Sequence, residues 1–124
     1  IKEAGAKRAI LLPVSAPFHC SLMKPAADKM AAYLKNITIN SLHTPVFNNV
    51  KAEIETDAET VYNSLVQQVS SPVLWTKSVE NMASAGVNAI IEVGAGKVLT
   101  GLVKKISKDI EVRNIGTLGD EDGI

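Results

Sequence analysis

The chain has 124 residues, of which 46% are apolar, enough for one core; a free-standing domain of this size buries roughly two-thirds of its unfolded surface. Thirteen basic residues balance thirteen acidic ones, so no overall field draws the protein to nucleic acid or to an anionic membrane. No apolar run reaches membrane-spanning length, no basic start precedes an apolar signal segment, and the single Cys20 leaves no partner for an internal disulfide. These features imply a soluble, cytoplasmic protein without nucleic-acid or membrane partners.

Residues 9–14 read as a short apolar strand interrupted at Pro13, which suits a strand end or a sheet edge. The chain turns at Pro17. From residue 25 to about 34, Ala27, Met30, Ala31 and Leu34 fall on one helical face, with Pro25 tolerated in the first turn. Residues 45–50 look like a buried strand running into a polar turn, and 51–55 alternate polar and apolar in strand fashion. Thr56-Asp57-Ala58-Glu59 has the spacing of a capping box, so a helix is expected to follow with Val61, Leu65 and Val69 inward. Ser70-Ser71-Pro72 stops it, because proline has no backbone donor and disfavours helical geometry in the residue before it.

A further helix is expected over about 76–85, with Trp75, Val79, Met82 and Ala83 on its apolar face and Gly86 as the left-handed residue that ends it. Residues 87–93 form an apolar run, followed by Gly94-Ala95-Gly96 and a helix carrying Leu99, Leu102, Val103 and Ile106 on one side. With a next strand at 111–115, strands and helices alternate through the second half. That order predicts an α/β fold with a mostly parallel sheet. Residues 116–124 lose all periodicity, carry Asp120, Glu121 and Asp122, and read as a solvated tail.

The residue best suited to chemistry is His19, in Ser15-Ala16-Pro17-Phe18-His19-Cys20 at a strand-to-helix junction. Imidazole shuttles protons near neutral pH, and such junctions are where α/β folds tend to place their sites; the plain alternative is a structurally satisfied histidine. Cys20 is poorly placed to be activated by its own chain neighbour and reads as a small buried residue, and His43 as a turn residue. Gly94-Ala95-Gly96-Lys97 invites a phosphate-binding reading. It fails the Walker A spacing, with Ile91 and Val98 at the required positions, and lacks the third glycine of a dinucleotide fingerprint at Leu99. His19, Cys20 and His43 are too few to hold a metal. No serine sits in a Gly-x-Ser-x-Gly elbow.

Several blocks agree with one family in order and with compatible spacing. They are Leu12-Pro13-Val14-Ser15-Ala16-Pro17-Phe18-His19-Cys20, Leu22-Met23-Lys24-Pro25-Ala26, Asn48-Asn49-Val50, Gln68-Val69-Ser70-Ser71-Pro72-Val73-Leu74-Trp75 and Val93-Gly94-Ala95-Gly96-Lys97-Val98-Leu99. The chain resembles the C-terminal part of the malonyl-CoA:acyl carrier protein transacylases of bacterial fatty acid synthesis, from near residue 6 to about 106. The resemblance implies a hydrolase-like parallel-sheet core with an inserted ferredoxin-like subdomain. Residues 1–14 would end that subdomain, 15–115 would be the C-terminal part of the core and 116–124 a flexible tail.

The implied reaction is ping-pong transfer of malonyl from malonyl-CoA to acyl carrier protein through an acyl-serine. His19 would be the general base and acid, and Gln68 would orient it through its backbone carbonyl. Phe18 would shape the acyl pocket, although serine also occurs there in malonyl-specific enzymes. No cofactor is implied, since coenzyme A is part of the substrate and the phosphopantetheine belongs to the carrier protein. The family's serine elbow, malonyl-gripping arginine and oxyanion-hole glutamine have no counterpart in this sequence, so a further implied partner is the missing N-terminal half, and this chain alone should not catalyse transfer. Two other readings compete: a non-catalytic scaffold or carrier-protein-binding fragment of the same fold, and a small nucleotide-binding domain resting on residues 94–97.

Overall fold

The computed structural model describes residues 3, 5, 7, 14–117 and 119. The strand expected over 9–14 lies outside the described residues except for Val14, which is in no strand, and the 116–124 tail lies mostly outside them as well. A single 3-10 turn, Ser21–Met23, leads into α1, Lys24–Leu34, with Pro25 in its first turn. Of the expected stripe, Ala27 is buried and Ala31 and Leu34 are half-buried, while Met30 is exposed.

The two strands expected across 45–55 are shorter than their apolar pattern suggests. β1, Val46–Phe47, pairs antiparallel with β2, Ile54–Glu55, in the register Val46↔Glu55 and Phe47↔Ile54. Asn48 ends the ladder. Its Oδ1 accepts from the amides of Val50 (2.9 Å) and Lys51 (2.7 Å), and its Nδ2 donates to the Glu53 carbonyl (3.2 Å). Asparagine competes with regular structure in this way by bonding nearby backbone groups. The turn also places the fully buried Ala52 at a φ of +60°.

Helix α2 spans Ala58–Gln68 and its cap corrects the sequence reading. The N-cap is Asp57, not Thr56: the Asp57 carboxylate accepts from the Thr60 amide at 2.9 Å and from the Thr60 hydroxyl at 3.0 Å. Thr56 remains in the extended segment because its carbonyl accepts from the Leu42 amide at 2.8 Å. Aspartate caps at least as well as threonine, so the start moves by one residue. The inward face differs too: Ser64 is the buried residue of α2, Val61 and Val69 are half-buried, and Leu65 is exposed. The Tyr62 hydroxyl ties α2 to α1 by donating to the Ala31 carbonyl at 3.0 Å.

The second half is a βαβ unit with a helix before it. α3 covers Trp75–Ser84, β3 Ala89–Val93, α4 Val98–Ile106 and β4 Glu111–Ile115. Gly86, at φ +89°, follows the end of α3 in the left-handed conformation that an L side chain adopts only with strain. β3 and β4 run parallel, from Ala89↔Glu111 to Val93↔Ile115. Val79, Val103 and Ile110 are buried together, with Trp75, Ala83, Ile90, Ile106 and Val112 packed around them. α4 therefore covers one face of the strand pair, while Ala89, Ile91 and Val93 on alternate positions of β3 are exposed. The fold is α/β. Its described strands form one parallel and one antiparallel pair rather than a single mostly parallel sheet. Among the described residues no helix is long and apolar enough to cross a membrane.

Candidate active site

His19 lies in a tight loop just before the 3-10 turn. The Phe18 amide donates to the Ala16 carbonyl (3.0 Å), the Cys20 thiol to the Pro17 carbonyl (3.1 Å), and the Met23 amide to the Cys20 carbonyl (2.9 Å). These short-range bonds fold the backbone so that His19 takes a φ of +56°. A non-glycine residue in that region carries strain, and such residues gather at sites where a side chain must be aimed. The histidine side chain is exposed at the surface.

The residue that meets it is Gln68, 49 positions along the chain. His19 Nδ1 lies 2.9 Å from the Gln68 backbone oxygen. A carbonyl oxygen can only accept, so Nδ1 carries the proton and, in the neutral ring, Nε2 keeps its lone pair. The Gln68 side-chain Nε2 lies 3.4 Å from the same Nδ1. Both nitrogens would then be donors, so we assign the shorter, carbonyl contact as the bond. Gln68 is the last residue of α2. Its carbonyl is one of the terminal acceptors that a helix cannot satisfy from within, and is therefore open to an outside donor.

The far side of Gln68 borders a cavity of about 360 Å³ between the hairpin and α2, lined also by Leu42, Val46, Phe47, Val61 and Leu65. Buried Glu55 lines it as well, and its carboxylate accepts from the Ser64 hydroxyl at 2.5 Å. The hairpin turn fixes the chain beyond Gln68. The Asn49 carbonyl accepts from the Leu74 amide at 2.9 Å, and the Ala52 carbonyl from Asn81 Nδ2 at 2.8 Å. Sequence reasoning overlooked Asn48 as the residue that builds this turn; an asparagine directly after an apolar strand pair is the available signal.

Phe18 is 57% exposed beside the histidine. Cys20 is half-buried rather than buried, because its thiol is spent on the Pro17 carbonyl at the loop surface. His43 is exposed.

The 94–97 loop is already occupied by protein groups. Glu92 turns back from β3 and its carboxylate accepts from the amides of Leu99 (3.0 Å) and Thr100 (2.8 Å) at the start of α4. The Thr100 and Leu99 amides hold the Glu92 carboxyl below the usual carboxylate range, and the buried Thr100 hydroxyl lies without a hydrogen-bond partner of its own. Asn114 Nδ2 donates to the carbonyls of Glu92 (3.2 Å) and Gly96 (2.8 Å). A carboxylate thus fills the place where a phosphate would have to sit, which disfavours the nucleotide reading. An acidic residue inside an apolar strand just before a glycine loop was the sequence signal for this cap. Among the described residues no three histidine, cysteine, aspartate or glutamate side chains gather as metal ligands.

No protein-family model matches the chain. Over 105 residues, 85% of its length, it is 58% identical to the malonyl CoA-acyl carrier protein transacylase of Escherichia coli strain K12, and the match covers 34% of that protein. A crystal structure of an acyl carrier protein S-malonyltransferase from Vibrio cholerae aligns with a TM-score of 0.92 at 49% identity, over 98% of this chain and 40% of that one. A malonyl-transacylase solved in complex with its type II polyketide synthase acyl carrier protein aligns with a TM-score of 0.90 at 45% identity, over 96% of this chain and 38% of that one. The chain is thus similar to a C-terminal portion of such transacylases and spans about a third to two-fifths of their length.

Proposed function

We propose that this chain supplies the acid–base histidine of a malonyl-CoA:acyl carrier protein transacylase, and that a longer polypeptide completes the site with the nucleophilic serine. The observation that carries the reading is the His19 Nδ1–Gln68 carbonyl contact at 2.9 Å. It leaves Nε2 free to accept a proton. The similarity to proteins of that name supports the assignment, as do the exposed β3 residues Ile91 and Val93, an apolar face that further chain would cover.

In the first half-reaction, His19 Nε2 takes the serine proton as the serine oxygen attacks the malonyl thioester, and then gives that proton to the departing coenzyme A thiolate. In the second, Nε2 takes the proton of the carrier protein's phosphopantetheine thiol as its sulfur attacks the malonyl-serine ester, and returns it to the serine oxygen. While His19 is protonated, the Gln68 carbonyl at the negative end of α2 faces the cationic ring. The reaction needs no cofactor beyond its two thiol carriers.

In this reading Phe18 lines the acyl pocket. Residues 15–115 belong to a hydrolase-like core, 1–14 end an inserted ferredoxin-like subdomain and 116–124 form a tail. The cytoplasm, where both thiol carriers would be found, is the proposed location. The test compares two variants of the complete polypeptide by malonyl transfer rate. Gln68→Ala keeps the backbone carbonyl and is expected to lose far less activity than His19→Ala. Equal losses would overturn the assignment of the carbonyl.

A further inference from the structure

The Gln68 carbonyl is available to His19 only because nothing nearer takes it. In a continuing α-helix the carbonyl of residue i accepts from the amide of residue i+4. Four residues after Gln68 stands Pro72, which has no N–H. Proline also disfavours helical backbone at Ser71, so α2 stops at Gln68. The neighbouring carbonyl is closed by the tighter bonds of the helix end. Gln67 is claimed within the chain, accepting from the amides of Val69 and Ser70. Beyond the break, the Leu74 amide is held by the Asn49 carbonyl, which ties the chain to the hairpin turn.

We infer that Pro72 is a positioning residue for the acid–base histidine. By withholding the i+4 amide that a continued α2 would direct at Gln68, it keeps that carbonyl open to His19 Nδ1 and so favours the tautomer with a free Nε2. Pro72 lies outside the contact itself and acts through Gln68. The inference rests on the proposed role of His19 for its catalytic meaning, but its geometric content can be read separately.

The experiment uses the complete polypeptide with 15N-labelled histidine, comparing wild type, Pro72→Ala and Pro72→Gly. Nitrogen chemical shifts report which nitrogen of His19 carries the proton, and malonyl transfer and melting temperature are measured alongside. Alanine restores the amide and favours helix, whereas glycine restores the amide but resists helix. We expect Pro72→Ala to shift His19 toward the Nε2–H tautomer and to slow transfer by roughly tenfold to a hundredfold, the scale expected for a small misplacement of a catalytic group. Its melting temperature should be little changed, and Pro72→Gly should lie between it and wild type.

A wild-type tautomer in Pro72→Ala would overturn the inference. So would a greater tautomer shift in glycine than in alanine, which is the order expected if proline merely stiffens the loop. Should Pro72→Ala fail to fold, Pro72→Ser supplies the same amide and carries the same expectations. If His19→Ala retains full transfer, the function proposed above fails while the tautomer result still decides the role of Pro72.

Discussion

Residues 75–115 close around Val79, Val103 and Ile110, three buried aliphatic side chains contributed by α3, α4 and the segment before β4. Residues 14–70 bury only Ala27 and Ala52 among their apolar side chains, and hold their shape through directional bonds instead. These include the Asn48 turn, the Tyr62 hydroxyl on Ala31, Ser64 on Glu55 and His19 on Gln68. Hydrophobic packing tolerates small displacements, whereas a hydrogen bond weakens steeply with angle. The division suits the proposed chemistry, since the packed half carries stability and the bonded half carries aim. Substitutions should therefore separate cleanly into those that change melting and those that change transfer.

The largest expected effect is functional. His19→Ala in the complete polypeptide should slow malonyl transfer by about 10²- to 10⁴-fold, with a melting temperature near that of wild type; a large fall in melting temperature would break the division. Val79→Ala is its counterpart in the packed half. Removing two fully buried methyl groups should cost about 2 kcal/mol in urea denaturation while leaving the His19 environment unchanged. A comparable loss of transfer in the folded Val79→Ala enzyme would show that the halves are not separable.

Smaller effects sharpen the same contrast. Phe18→Ser opens space beside His19, and should raise the methylmalonyl-to-malonyl ratio of kcat/KM by a factor within the range of about 1–3 kcal/mol available to one methyl group; an unchanged ratio would remove Phe18 from the pocket. The smallest concerns Asp57, whose carboxyl is held below the usual range chiefly by the Thr60 amide. A lowered folded value means that the cap stabilises fully above the unfolded carboxylate range, about pH 4, and loses that contribution as the pH falls through the folded value. Asp57→Ala should therefore melt below wild type at pH 6, and the two curves should converge in acid.

Much of this architecture was legible in the sequence where one force dominates. The 3.6-residue spacing of Val79, Met82 and Ala83 marked α3, and the apolar run through Ile90 with Gly94 after it marked β3 and its turn. The cap of α2 falls one residue later than the capping-box spacing predicts because Thr56 and Asp57 are both good caps. Only the Leu42–Thr56 bond, made at a distance, decides between them. Leu65 is exposed against expectation for a related reason, since helical periodicity marks a face but cannot tell that Ser64 is the residue turned toward Glu55. At the site, His19 stood out by residue type and Gln68 only through family resemblance. A backbone carbonyl leaves no trace in side-chain composition.

The most direct measurement is time-resolved intact mass spectrometry of the complete polypeptide mixed with malonyl-CoA, wild type beside His19→Ala. Wild type should gain a single malonyl group within the first turnover, and His19→Ala should gain it at least about a hundredfold more slowly. Equal rates of acylation in the two proteins would contradict the claim that this chain supplies the base.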